Sequence, residues 1–349
     1  MVRNAQETVF TAVFFTLEKG NNLLQLLAKA TKSVIRESRF TRLSAKKLPT
    51  EVDGLLRFLD ENSMTEYVLA EAALEIHQGA KSGSSKRNSI EFNINSSRSS
   101  SELLYTQNSA ARWCLDTDTI KNCLVSASKV TERLQVFSSL YEFDLFELLG
   151  LRNLSALMGE IFAKQVLVAH KDKFLKNQNQ DGYPDLCALT PESSAYLKKL
   201  TDARGKIDTD KKYWSPYPYG GVEVKATCGN TPAARIKPKP AIGVSRIETG
   251  LVSAEWKAHH RETKSLLGVY WDFVETLPTF LAAFYRNDLT VDDWGNMVVP
   301  REDSHATSVS VMKRSGVKRM GEGWMVLPKD DFYLRPLSEV FGVPKTMPV

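Results

Sequence analysis

Cysteine is scarce in this chain: four in 349 residues, at positions 114, 123, 187 and 228. None stands in a CxxC pair, which argues against a structural zinc site and against a disulfide framework. Reduced thiols in a cytoplasmic protein are the expected state. No apolar run reaches the roughly 18 residues of a membrane span, so no membrane partner is expected. The first apolar stretch, Val9 to Leu17, is interrupted by Thr11 and Thr16. It lacks a basic lead and a small-residue cleavage site, so a signal peptide is not expected. Also missing are a Walker A glycine loop, a GxGxxG turn after a strand, a GxSxG elbow and an HExxH helix. The ATP-driven, dinucleotide-binding, serine-hydrolase and zincin chemistries lose their usual support with them. There is no internal repeat and no heptad array.

What is present is ordinary in amount and uneven in placement. The hydrophobic share is 42% and the charged share 25%, as in a soluble globular protein. Three hundred and forty-nine residues leave room for two domains. The net charge is +5. Residues 1–150 hold 18 basic and 18 acidic side chains, whereas residues 151–349 hold 28 and 23. All the excess positive charge lies in the second part, which is compatible with a polyanion approaching there.

The chain changes texture near residue 150. Apolar residues recur at three-to-four spacing over 7–17 and 21–34, which reads as helix. Leu48-Pro-Thr-Glu51 reads as a helix start, and Ser63-Met-Thr-Glu66 has capping-box spacing. Residues 80–101, rich in Ser, Asn, Lys and Arg, read as a loop. Lys86, Arg87 and Arg98 in that loop are candidates for ordering on nucleic acid. Helical pattern resumes from Thr117 to about Leu149, with Gly150 placed as a stop, and continues from Leu154 to His170. From Tyr183 short strands dominate: 183–189, 221–227, 266–275 and 279–285, with Pro278 in the turn between the last two. Pro191 to Leu200 reads as a helix with proline in its first turn. Lys313 to Arg319 reads as a basic turn and Gly321 to Pro328 as a late strand. The expected class is α/β (α+β), a mixed central β-sheet flanked by helices after a helical N-terminal region. The expected domains are 1–150 and 151–349, the first for dimerisation or DNA binding.

The chemistry concentrates in Gly221-Val-Glu-Val-Lys-Ala-Thr227. Side chains two apart on a strand share a face, so Glu223 and Lys225 point one way and Val222 and Val224 the other. A second carboxylate, Asp185, sits in its own apolar run, Tyr183-Pro-Asp-Leu-Cys-Ala-Leu189. Two carboxylates and a lysine at strand ends suit a magnesium ion with a cationic partner, which phosphodiester hydrolysis requires. Asp208 and Asp210 are alternative first carboxylates, but they stand in a charged turn.

Pro184-Asp185 and Glu223-Val224-Lys225 resemble the signature of the PD-(D/E)XK nuclease superfamily, and within it the type II restriction endonucleases. The resemblance covers about residues 152–285. It implies a restriction-endonuclease-like core with Mg2+ held by Asp185, Glu223 and the carbonyl of Val224. It implies a catalytic role for Lys225, which would polarise the attacking water and, with a lowered pKa, could move a proton. Members often carry a glutamate on the helix before the PD strand, and Glu160 matches that position as a further catalytic and metal-binding residue. Its other reading is an exposed glutamate near Lys164. The 38-residue gap from Asp185 to Glu223 is longer than in many members. The resemblance further implies double-stranded DNA as substrate, a homodimer, and a companion DNA methyltransferase.

Candidate DNA contacts follow the EVK strand. Arg235, Lys237, Lys239 and Arg246 lie in a basic segment holding Pro232, Pro238 and Pro240. Lys257, His259 and His260 follow, with one histidine expected at a helix end. Arginine and lysine serve base edges and phosphates alike, and sequence does not separate the roles. An HNH reading of His260, Asn296 and His305 suffers from the long spacing. The alternatives are a structure-directed repair or recombination nuclease and a non-catalytic DNA-binding protein on the same core.

Overall fold

The computed structural model describes residues 23–36, 48–50, 52–61, 67–68, 71–72, 90–96, 115–139, 143–232, 240–259, 261, 263–298 and 308–345. Arg235, Lys237, Lys239, His260, His305, the helix expected at 7–17, the 63–66 box and most of the 80–101 loop lie outside them. The chain divides into two compact units, Met1–Asn88 with Val130–Leu148, and Ser89–Lys129 with Leu149–Val349. Residues 89–129, expected in the first domain, belong to the second unit.

In the first unit, α1 (Leu23–Arg36) and α2 (Val52–Glu61) turn their apolar stripes to a common core. Leu27, Ala30, Ile35, Leu55, Leu59, Val68 and Ala72 are buried there. A partly buried ion pair, Arg133 to Glu71 at 3.0 Å, ties this unit further.

The second unit is built on a seven-stranded mixed sheet flanked by helices. Its strands are β1 (Phe92–Ile94), β2 (Phe174–Lys176), β3 (Leu186–Ala188), β4 (Gly221–Thr227), β6 (Leu266–Val274), β7 (Leu277–Arg286) and β9 (Trp324–Pro328). Their order is β1-β9-β7-β6-β4-β3-β2. Every neighbouring pair is antiparallel except β4 with β6. A two-stranded ribbon joins β5 (Lys257–Ala258) to β8 (Ser310–Val311). All nine residues of β6 are buried, as a strand covered on both faces requires.

The helices α3 (Thr117–Ser139) and α4 (Leu145–Ala169) replace the one long pattern expected over 117–149. Gly150 is non-helical at φ 64°, so it breaks α4, as its placement anticipated. Beyond the break, α4 packs on the sheet: Phe162 meets Phe280 of β7 at 5.7 Å between centroids. A Cβ at Gly159 would come 3.9 Å from that of Ala226 in β4. On the other face lie α8 (Arg314–Glu322) and α9 (Asp331–Phe341). There Phe341 stacks on Phe284 at 4.5 Å and touches Trp256 and Tyr270. The register of β6 with β7 shifts after Tyr270, leaving Leu281 as an extra residue. This bulge lets Phe280 face α4 while Phe284 faces α9.

Four local expectations change. Pro278 lies inside β7, paired with Phe273; the turn is Glu275-Thr276, both at positive φ. A two-residue connection with positive φ at both positions matches the right-handed twist of a hairpin. The basic run at 313–319 opens a helix, α8, because Val317 and Met320 bury one turn apart against the core. The strand expected over 183–189 shortens to three residues, since Asp185 precedes the ladder. Part of the serine-rich loop becomes the edge strand β1, with Asn93 opposite Leu327 of β9.

Candidate active site

The site forms where β3 begins and β4 passes its midpoint. The two strands are antiparallel, with Leu186 opposite Val222, so Asp185 falls opposite Glu223. On β4, Ala226 faces α4. Glu223 and Lys225 alternate with it, and so face the side that carries Trp256 and α9. Glu223 N–H donates to the Ser265 carbonyl at 3.0 Å. Val224 therefore points its backbone to the opposite edge, where its N–H reaches Asp185 Oδ2 at 2.8 Å. The Val224 carbonyl shares that edge.

Lysine and carboxylates meet closely. Lys225 Nζ lies 2.6 Å from Glu223 Oε1 and 3.1 Å from Asp185 Oδ2. Asp185 N–H donates to Glu223 Oε2 at 3.2 Å. The Glu223 side chain is 5% exposed, that of Lys225 21% and that of Asp185 31%. The group thus has a dry end at Glu223 and an open end at Asp185. Burial pushes the Glu223 carboxyl up to about 7; Lys225 opposes the rise and Asp185 adds to it. Burial alone would lower the Lys225 ammonium, but the charges of Glu223 and Asp185 outweigh it and hold it above the usual lysine range.

Supporting residues were not singled out by sequence. Asn177 Nδ2 donates to the Pro184 and Trp214 carbonyls, both at 2.9 Å, and so holds the turn before Asp185. Tyr183 is half-buried beside the carboxylates, its phenol pushed up to about 12 by burial and by Glu223. Its place next to Pro184-Asp185 was the available signal. Nothing in the sequence marked Asn177. Gly268 in β6 pairs with Lys225. A Cβ there would sit 2.7 Å from the Trp256 ring, so glycine lets the indole lie against the strand beside the site.

Glu160 is not brought into this group. It pairs with Lys176 at 2.9 Å, and both side chains are mostly exposed. Arg246 is a correction: it is buried, not available to DNA. Its guanidinium donates to the Val244 carbonyl at 2.6 Å and lies over the Phe273 ring. The cause is Asp272, whose buried carboxylate accepts from Ser245 Oγ and from the N–H groups of Arg246 and Ile247. That contact draws α7 (Arg246–Thr249) against the core. Lys257 and His259 are exposed. His259 follows the short strand β5 rather than a helix, with Nδ1 at 3.3 Å from the Ser308 carbonyl.

Among the described residues, no set of three or more His, Cys, Asp and Glu gathers as a metal-binding group. The donor chemistry at Asp185 and Glu223 still suits a hard divalent cation. Asp185 Oδ1 accepts no hydrogen bond among the described residues. Asp185, Glu223 and the Val224 carbonyl are the atoms that would hold the ion. No helix among the described residues is long and apolar enough to cross a membrane. No family model, curated protein or solved structure matches the chain.

Proposed function

We propose that this chain is a Mg2+-dependent, site-specific endonuclease of double-stranded DNA, similar to type II restriction enzymes. The observation that carries the reading is Lys225 Nζ, which bridges the carboxylates of Glu223 and Asp185 at 2.6 and 3.1 Å. A bound divalent ion supplies an activated water and charge neutralisation at the phosphate. The protein's own groups supply position. Asp185, open to solvent and fixed by the Val224 N–H, is where an anionic substrate meets the site. The part of Lys225 is electrostatic: its ammonium faces the developing negative charge and orients the attacking water. Glu223 is the group whose ionisation switches the site on. On this reading the molecule works as a two-fold dimer on a palindromic site, beside a methyltransferase that protects host DNA.

A second reading is favoured by one observation: Glu160 stays with Lys176, and no third carboxylate completes the group among the described residues. In it Asp185, Glu223 and Lys225 are an ion-pair cluster within a DNA-binding protein. Digestion of long unmethylated duplex DNA, with and without Mg2+, separates the readings. Sharp Mg2+-dependent bands that vanish in Glu223→Gln support the restriction-type endonuclease. A smear points to a structure-directed nuclease. Binding without cleavage, unchanged in the variant, supports the ion-pair cluster.

A further inference from the structure

The stretch between the two carboxylate strands, residues 189–220, is a small folded insertion with its own core. Trp214 and Tyr217 are buried and stacked at 5.6 Å, with Tyr196, Leu200, Ile207 and Tyr219 around them. Its first helix, α5 (Pro191–Leu200), is capped on both sides of a Thr190–Ser193 box. A second short helix, α6 (Lys211–Trp214), folds back toward the site. The Trp214 carbonyl accepts from Tyr183 N–H at 3.1 Å, and Tyr217 N–H donates to the Tyr183 carbonyl at 2.8 Å. Asn179 Nδ2 reaches the Thr209 carbonyl at 3.0 Å. The insertion is therefore anchored two residues from Asp185. Two residues of extended chain span at most about 7 Å, so the root lies closer to Asp185 than the width of a major groove.

Charges on this insertion are sorted. It carries Lys198, Lys199, Arg204, Lys206, Lys211 and Lys212 against Glu192, Asp202, Asp208 and Asp210. The aspartates hold the backbone: Asp202 Oδ1 accepts from Arg204 and Lys206 N–H at 2.9 and 2.8 Å. Asp208 accepts from Asp210 N–H at 2.9 Å, and Asp210 from Lys212 N–H at 3.0 Å. Lys212 alone of the six cations pairs with an acid, Asp210, among the described residues. Lys198, Lys199, Arg204, Lys206 and Lys211 are exposed with no acidic partner among them. Cations on a prefolded support lose little freedom when they meet an anion.

We propose that the 189–220 insertion grips the phosphate backbone of the duplex whose scissile bond lies at Asp185, Glu223 and Lys225. The inference rests on the nuclease reading and adds the surface that holds the substrate. The partner it fits is a polyanion with regularly spaced phosphates, and its contacts carry position rather than sequence. The unusual length of the chain between Asp185 and Glu223 then has a purpose.

The test compares two charge-matched triple variants of the full chain. One is Lys198→Gln/Lys199→Gln/Lys211→Gln, on the insertion. The other is Lys32→Gln/Lys129→Gln/Lys345→Gln, at exposed lysines elsewhere. Affinity for a 30-base-pair duplex is measured in chelator against salt concentration. Each lost phosphate contact should lower the slope of log K against log salt by about 0.9. The insertion variant is expected to lose about two to three units of slope, the control less than one. Equal slopes in the two variants, an unchanged slope in the first, or no duplex binding by the native chain would overturn the proposal. Mg2+-dependent cleavage by the native chain is scored separately. Cleavage retained with an unaltered slope defeats the insertion's role and leaves the nuclease reading standing; binding through the insertion without cleavage does the reverse.

Discussion

At the scale of single residues, Glu223 decides most. Its folded value of about 7 stands above the usual 4.5. The folded state therefore holds that proton more tightly than the unfolded chain does. This stabilisation is complete below the usual value and is lost as pH rises through the window up to about 7. Thermal melts are expected to show the protein losing stability from pH 5 to pH 8, with the decline reduced in Glu223→Gln; a parallel decline in both would contradict the assignment. The same ionisation governs the cation. Because a carboxylate must be deprotonated to bind a metal, the Mg2+ requirement for cleavage should ease about tenfold per pH unit below 7 and level off above it. Lys225→Met removes the partner of both carboxylates and should move that midpoint upward, as well as lowering the cleavage rate by about a hundredfold or more. Glu223 and Lys225 were readable because alternation along one strand fixes which side chains share a face, and Asp185 because it stands in its own short apolar run. Asn177 was not readable, since its role comes from two carbonyls, one of them 37 positions away. Arg246 misled for a related reason: a basic residue in a proline-rich stretch looks solvated until Asp272 captures its backbone.

At the scale of elements, the β3–β4 pair is the part on which the site depends. Gly221 opens β4 at φ 148°, and a Cβ there would collide with the Leu186 carbonyl and the Pro184 ring. Gly221→Ala is expected to destabilise by about 1–3 kcal/mol and to disturb the register that sets Asp185 opposite Glu223. Melting temperature and cleavage rate should fall together. Gly268→Ala tests the other neighbour: the methyl would press on Trp256, and a similar loss of stability is expected. The range 221–227 was read to the residue because β-branched alternation is strong there. The class of sheet was also readable, but not its order. Which strand lies beside which is decided by distant pairing, such as β4 with β6 across a crossover of nearly forty residues. The 313–319 run looked like a turn because four of its seven residues are basic, whereas burial of Val317 and Met320 on one face makes it helical.

At the scale of the whole molecule, the second unit is a mixed sheet covered on both faces, with the candidate site on the face shared by Trp256 and α9. Phe341 is fully buried against Phe284, Trp256 and Tyr270. Phe341→Ala is expected to cost about 3–5 kcal/mol, seen as a drop in melting temperature. The proposed activity requires that Asp185, Glu223 and Lys225 act together as the hydrolytic centre. One cleavage-rate comparison on a single end-labelled duplex tests it: the native chain, Asp185→Asn, Glu223→Gln, Lys225→Ala and Glu160→Gln, each in saturating Mg2+ and each checked for a native melting profile. The first three variants are expected to lose about a hundredfold or more of the rate, while Glu160→Gln, whose carboxylate is already held by Lys176, stays within a few fold of the native chain. Native-like cleavage by Glu223→Gln or Asp185→Asn would contradict it.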